Sequence, residues 1–194
     1  MGHLKISRLF FLFSLFCIQT SIFAAPSDQA QKVCSSQNIA ISHYNILVAK
    51  GVFTIKPTRA PFSSGIWISG SCKALKAIKI QTNGNQLTIA SPSPKLSSTN
   101  DQASAVSIEV PVGNIPSLTV TLEGKAEFIM GNIGLKKLNI QTKDESHAQV
   151  TASNWLNMIA LNHSSIYFTG RPKHVDAQSY DQSTLVSLLP PEYY

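Results

Sequence analysis

The sequence predicts an all-β fold, a β-solenoid with 18–20-residue rungs that is preceded by an antiparallel or irregular β region. Segments that alternate apolar and polar residues, the pattern of a strand with one buried face, recur along residues 118–187. They start at Leu118, Leu138, Leu156 and Val175, so the step from one to the next is nearly constant. Repetition of strand-type segments at such a period is typical of a β-solenoid.

Residues 1–24 have the features of a secretory signal peptide. Lys5 and Arg8 precede an apolar run, Leu9–Ile18, and Ala24 offers a cleavage site. The run is short for a transmembrane helix, and an uncleaved N-terminal anchor is the alternative. Residues 25–40, which follow, are polar and small and are predicted to form a flexible N-terminal arm.

Shorter strands are predicted between the arm and the repeats. Val52–Ile55 and Gly65–Gly70 are rich in β-branched and aromatic residues, and Lys73–Ala77 has room for one helical turn. The Asn83-Gly84 pair is a strong hairpin signal. Residues 91–104 have low hydrophobicity and predict a surface loop.

Each repeat contains two strand segments, and the repeats predict which residues stack. The inward positions of the first segments are Leu118/Val120/Leu122, Leu138/Ile140/Thr142, Leu156/Met158/Ala160 and Val175/Ala177/Ser179. Those of the second segments are Ala126/Phe128/Met130, Ser146/Ala148/Val150, Ser164/Ile166/Phe168 and Ser183/Leu185/Ser187. Successive rungs lie about 4.8 Å apart, so equivalent residues should form inward columns. Pro190–Tyr194 is predicted to be a C-terminal tail that covers the last rung.

Charge and cysteine content restrict the class of protein. The chain has 16 Lys and Arg against 10 Asp and Glu, and without Lys5 and Arg8 the balance is 14 − 10 = +4. These basic residues are scattered, so no nucleic-acid partner is expected. Cys34 and Cys72 are the two cysteines after residue 24, and an exported chain is expected to join them in a disulfide, with two free thiols as the alternative.

The order of the segments resembles that of a known family. Ile66–Gly70, Asn85–Ile89 and Val106–Pro111, followed by Leu118–Val120, are similar to the strands that lead into the repeats of the auto-transporter adhesin, head GIN domain family. The resemblance implies a single exported bacterial β domain over residues 41–189, with adhesion suggested by the family's name. Members often carry Ser-Gly-Ser-Gly at repeat corners; here the corner serines match and the glycines do not.

Stacking the repeats also predicts a polar column. Asp144, Asn162 and Asp181 lie two residues before the repeating serines. Their oxygens could bind a hard cation. Alternatively, Asp144 and Asp181, two rungs and therefore about 9.6 Å apart, could act as the carboxylate pair of an inverting glycosidase. We favour a third interpretation, in which these are ordinary corner residues that bond their own backbone.

These observations predict a non-enzymatic exported protein of the cell envelope, in the periplasm, on the cell surface or secreted. We expect it to serve adhesion or to bind a surface polymer, such as a glycan, or an envelope protein. No catalytic residue, cofactor or metal is expected, and no membrane span after signal cleavage. The alternatives are a carbohydrate-active enzyme that uses Asp144 and Asp181, and a structural stabiliser of an envelope complex.

Overall fold

A computed structural model describes residues 33–92, 106–113 and 115–188, with the backbone alone for residues 33–37. The predicted signal peptide, most of the predicted 91–104 loop and the tail at 190–194 lie outside the described residues. The fold described below belongs to the compact unit Gln31–Tyr194.

The described residues are mostly β. A 3₁₀ turn, Phe62–Ser64, and one short helix, α1 (Cys72–Ala77), interrupt the strands. The strands are β1 (Val33–Ile39), β2 (Ile46–Gly51), β3 (Thr54–Thr58), β4 (Ile66–Ser71), β5 (Lys79–Asn83), β6 (Gln86–Ala90), β7 (Ser107–Pro111), β8 (Ser117–Gly124), β9 (Glu127–Ile129), β10 (Leu135–Thr142), β11 (His147–Ala160), β12 (Ser165–Thr169), β13 (His174–Ser179) and β14 (Thr184–Ser187).

The strands pair in two series that meet in β11, and the sheet curls into an open half-barrel. One series runs β5-β6-β2-β8-β10-β11-β13, and the other runs β1-β4-β7-β3-β9-β11-β12-β14. β11 serves both because its first residues pair with β9 and β12 and its later residues pair with β10 and β13.

The register predicted from the repeats is confirmed. In the first series Leu138 pairs with Leu118 and with Leu156, and Leu156 pairs with Val175. In the second series one column contains Phe128, Ala148, Ile166 and Leu185. All of these pairings are parallel, so each strand repeats the position of the strand one repeat earlier.

The inward columns of β8 to β11 form much of the core, whereas the predicted inward set of β13, Val175/Ala177/Ser179, is exposed. The side chains of Leu118, Leu138, Leu156 and Phe128 are fully buried. Burial of a Leu or Phe side chain stabilises by about 1.5–3 kcal/mol, so the columns supply much of the stability of the repeats. The alternating burial of β8, from Ser117 to Leu122, follows the period of two that the sequence shows.

The strands before the repeats differ from the antiparallel or irregular region that the sequence predicts. β2 pairs in parallel with β8 and β6, and β3 pairs in parallel with β9 and β7, so these strands continue the stack of the repeats. Within the described residues, antiparallel pairing is found for β1–β4, β4–β7 and β5–β6. The reason is that β2 and β3 meet at Gly51, which pairs with Gly124 at the corner between β8 and β9.

Three local expectations have outcomes in the structure. Residues 25–40 are predicted to be a flexible arm, but Val33–Ile39 forms the strand β1 because it pairs with β4. The helical turn is confirmed as α1, whose first turn is capped by the Ser71 side chain accepting from Ala74 N–H. The hairpin is confirmed, with Asn83 opposite Gln86.

Buried hydroxyls close the corners of the repeats. The Ser164 hydroxyl accepts from Thr142 Oγ1 at 2.9 Å and from Leu161 N–H at 3.1 Å. Its own proton has carbonyl acceptors on Thr142 at 3.1 Å and Leu161 at 2.8 Å. Ser183 has the equivalent bonds to Tyr180 N–H and Ala160 carbonyl, but it is only partly buried.

We predict that Ser164→Ala lowers the free energy of unfolding by about 1–3 kcal/mol, because the buried Thr142 hydroxyl loses its acceptor. Ser183→Ala is the matched control, and its loss should be smaller because water reaches that corner. Urea unfolding followed by circular dichroism measures both. Equal losses would show that burial does not decide the cost at these corners.

Candidate functional site

The predicted polar column is a column of left-handed turn residues. Asp144, Asn162 and Asp181 have φ values of 61°, 61° and 59°. Each lies in a tight turn closed by the N–H of the serine two residues later. Gly124 takes the equivalent place in the preceding corner, with φ of 78°. Glycine, asparagine and aspartate adopt this conformation at the lowest cost, so the backbone explains the residue types in the column.

The hydrogen bonds of the Asp144 side chain join it to the corners of the repeats before and after it, not to its own corner. Asp144 accepts from Gly124 N–H at 3.1 Å through one carboxylate oxygen and from the Asn162 amide at 3.2 Å through the other. The structure therefore brings Asp144 and Asn162 together, whereas Asp181 lies in its own turn one strand further along. Among the described residues, no group of three or more His, Cys, Asp or Glu could hold a metal ion.

The neighbouring outward column, on the strands of the second series, contains two hydrogen-bonded pairs of side chains. Thr54 donates to the Glu127 carboxylate at 2.8 Å, and His147 Nδ1 lies 2.7 Å from Ser165 Oγ. The His147 ring also lies 5.0 Å from that of Tyr167. These side chains stand on a regular strand face and bond within each pair.

A cleft that the sequence does not predict lies where the segment before β2, the turn after β3 and the turn after β7 meet. Its volume is about 680 Å³. Aromatic rings, amides and two basic side chains line it: His43, Tyr44, Asn45, Arg59, Pro61, Phe62, Ser63, Asn85, Gly113, Ile115 and Pro116.

Tyr44 anchors the floor of the cleft. Its side chain is buried, and its hydroxyl donates to the carbonyl of Pro111, a residue distant in the sequence, at 2.9 Å. Burial raises the pKa of Tyr44 well above its ordinary value, so the hydroxyl stays protonated as a donor. The Phe62 ring stands edge-on to Tyr44 at 5.4 Å, and the His43 ring lies 4.3 Å from Phe62. The three rings hold one another in place.

The walls are equally constrained. The 3₁₀ turn that carries Phe62 is closed by Ser64 N–H and Ser64 Oγ, which donate to the Pro61 carbonyl at 3.0 and 2.7 Å. Across the cleft, the Asn85 amide donates to Asn45 Oδ1 at 2.8 Å. The Asn45 N–H donates to the Asn85 carbonyl at 3.0 Å. The hairpin turn therefore contributes one rim of the cleft.

The described lining combines basic side chains, amides and aromatic rings. Arg59 supplies a guanidinium and His43 an imidazole, and no Asp or Glu is among the described residues that line the cleft. The guanidinium of arginine binds carboxylates in a bidentate manner. Asn45 and Asn85 add the amide donors and acceptors that hydroxyl groups require. The Phe62 ring adds apolar surface to the lining.

The sequence carries only faint signals of this cleft. His43 is isolated in the chain, and the lining comes from segments near residues 44, 61, 85 and 115, with no common motif. The prolines that end β3 and the Asn-Gly hairpin are visible as breaks in the strand pattern. Their convergence depends on the parallel pairing of β2 with both β6 and β8.

Comparison with known proteins gives structural neighbours only. No protein-family model matches the chain, and no curated protein matches it. A "putative adhesin" from Bacteroides fragilis is 14% identical, with 81% of this chain and 98% of that chain covered and a TM-score of 0.44. A "putative cell adhesion protein" from Clostridium sporogenes is 11% identical, covering 80% and 97%, with a TM-score of 0.46. Similarity at this level does not indicate what this chain binds.

None of the helices in residues 33–92, 106–113 and 115–188 has the length and hydropathy of a membrane-spanning segment.

We predict that Asp181→Gly leaves the stability unchanged, whereas Asp181→Ala lowers it by about 1 kcal/mol, because alanine is strained in the left-handed region at φ of 59°. Asp176→Ala, on the extended strand β13, is the control for loss of an exposed carboxylate. Thermal unfolding of the three variants tests this. A loss for Asp181→Gly as large as that for Asp181→Ala would mean that the side chain, not the backbone, is needed.

Proposed function

We propose that this protein is a non-enzymatic, exported β-solenoid of the bacterial cell envelope, of the head GIN type, that binds an acidic surface polysaccharide in the cleft between Phe62 and Asn85. The observation that carries the proposal is the lining of the cleft, which combines Arg59 and His43 with aromatic rings and has no carboxylate among its described residues. The positive charge of the Arg59 guanidinium attracts an anionic ligand there.

The solenoid interpretation rests on the parallel register. Strands one repeat apart pair in both series, and β2 and β3 extend the pairing before the repeats. A stack of this kind holds surface segments at constant spacing, which suits contact with a polymer of repeating units. Export rests on the features of residues 1–24 and on the cysteine pair.

We prefer binding to hydrolysis because the backbone conformation already explains the two aspartates on which the glycosidase alternative depends. Asp144 and Asp181 occupy left-handed corners, and the Asp144 carboxylate is engaged by Gly124 and Asn162. Neither residue lines the cleft.

We expect Arg59→Gln to weaken the binding of an acidic polysaccharide by about tenfold. This corresponds to the loss of roughly 1.4 kcal/mol from a charge-assisted hydrogen bond. Polygalacturonate and hyaluronate are the probes. Lys56→Gln removes a charge from the exposed face of β3, outside the cleft, and should change binding little. Isothermal titration calorimetry measures both, with neutral dextran as the ligand control.

If Arg59→Gln and Lys56→Gln weaken binding equally, general charge attraction, and not the cleft, accounts for the binding. Absence of binding by the folded wild-type protein to both acidic polymers would overturn the acidic-ligand proposal.

We also propose the Cys34–Cys72 disulfide. Support comes from the backbone register, in which Cys34 pairs with Gly70, two residues before Cys72. We expect reduction to lower the free energy of unfolding by about 3–4 kcal/mol, because the bridge closes a long loop of the unfolded chain. Thiol alkylation with and without prior reduction detects the bond. The Cys34→Ser/Cys72→Ser variant should lose the same stability and show no further response to reductant. Two thiols that are alkylated without reduction would contradict the proposal.

A further inference from the structure

A row of outward-facing residues crosses the first series of strands at the edge where the cleft lies. The row consists of Ser117, Lys137, Trp155 and His174, which are aligned by the parallel pairing of β8, β10, β11 and β13. Each of them directly precedes a member of the inward column that begins at Leu118. Successive residues of a strand face opposite sides of a sheet, so the row stands on the outer face.

The row and the cleft share one edge of the sheet. Asn45 and Asn85, which line the cleft, directly precede β2 and β6. Pro116, which also lines it, directly precedes Ser117, the first residue of β8. The parallel pairing of β2 with β6 and β8 brings these segments side by side. Because β11 follows β2 by three strands in the series, Trp155 lies about 14 Å from β2 along this edge.

The row presents an exposed aromatic ring between two basic residues. Trp155 is 42% exposed, and its ring lies 4.8 Å from that of His174. Lys137, on the side nearer the cleft, is also exposed. The carboxylate of Asp176 belongs to β13, the strand of this series most distant from the cleft. A negatively charged chain that leaves the cleft along the row therefore meets Lys137 one strand before Trp155.

The exposed ring of Trp155 is suited to binding. Tryptophan has a large apolar surface and is enriched among the residues that contribute most to binding energy. The ring of His174 packs beside that of Trp155 and restricts it, so less conformational freedom is lost when a ligand covers the indole. A sugar ring has an apolar face of C–H groups that matches such a surface.

We propose that the acidic polysaccharide continues from the cleft along this edge, over Ser117, to a second contact. There a sugar ring stacks on Trp155, and a sugar carboxylate pairs with the Lys137 ammonium. This inference rests on the proposed function of the cleft, and it adds the path of the polymer and a second subsite. The polymer crosses the strands at right angles, so its repeating units meet the outer face at each strand in turn.

Oligomer length separates the two contacts. Digalacturonate is too short to fill the cleft and reach Trp155 together, whereas decagalacturonate spans both. Trp155→Ala should therefore weaken the binding of decagalacturonate by about tenfold, as expected when a tryptophan contact is lost, and leave that of digalacturonate unchanged. Trp67→Ala is the matched control and should change neither, because Trp67 is 43% exposed on β4, in the other series. Isothermal titration calorimetry measures each pair.

The outcomes distinguish this inference from the proposed function. If Arg59→Gln weakens the binding of both oligomers and Trp155→Ala weakens neither, the cleft stands and the second contact is overturned. If Trp155→Ala weakens decagalacturonate binding and Arg59→Gln does not, the cleft proposal fails, and the path that starts there fails with it. Absence of binding of both oligomers by the folded wild-type protein would overturn both.

Fluorescence provides a second measurement that leaves Trp155 in place. The chain has two tryptophans, so Trp67→Phe makes Trp155 the single one. Saturation with decagalacturonate should shift its emission to shorter wavelength, because a stacked sugar ring displaces water from the indole. Saturation with digalacturonate should not. An emission maximum that decagalacturonate leaves unchanged would contradict the stacking.

Discussion

The interaction on which the rest of this structure depends is the in-register parallel pairing of strands one repeat apart. Each new strand must return to the position of the one before it, which requires a corner of constant shape. Each corner contains a residue in the left-handed conformation. These residues are Gly124, Asp144, Asn162 and Asp181. A hydroxyl then closes the turn, as at Ser164. The residue types at the corners follow from this backbone requirement.

The same constraint explains where the cleft is found. Regular strand faces repeat short side chains at constant spacing and leave little concavity. The cleft forms where the repeat is interrupted, between the segment before β2 and the 3₁₀ turn after β3. There Tyr44, fixed by its bond to Pro111, orients Phe62 and His43. The regular strands support the cleft, and the irregular segments between them form its walls.

Sequence reasoning succeeds in the repeats and is weaker before them. Columns such as Phe128, Ala148, Ile166 and Leu185 are predictable because alternation within a strand and a near-constant step between strands are both local properties. The pairing of Ile46 with Thr119 instead joins segments that several other strands separate in the chain, so the period is hidden by the intervening sequence. The expectation of an antiparallel region failed for β2 and β3 for this reason, and the cleft that depends on those strands was not predictable.

By itself, the sequence determined which residues face inward, the register of the repeats and the positions of their corners, because each follows from nearest-neighbour pairing at a fixed period. Tertiary structure alone decided that β2 and β3 join the parallel stack, and it brought His43, Arg59, Phe62 and Asn85 to one cleft. It also left Val175 half exposed while the rest of its column is buried. These features depend on contacts between segments that are distant in the sequence, and the repeat period does not specify such contacts.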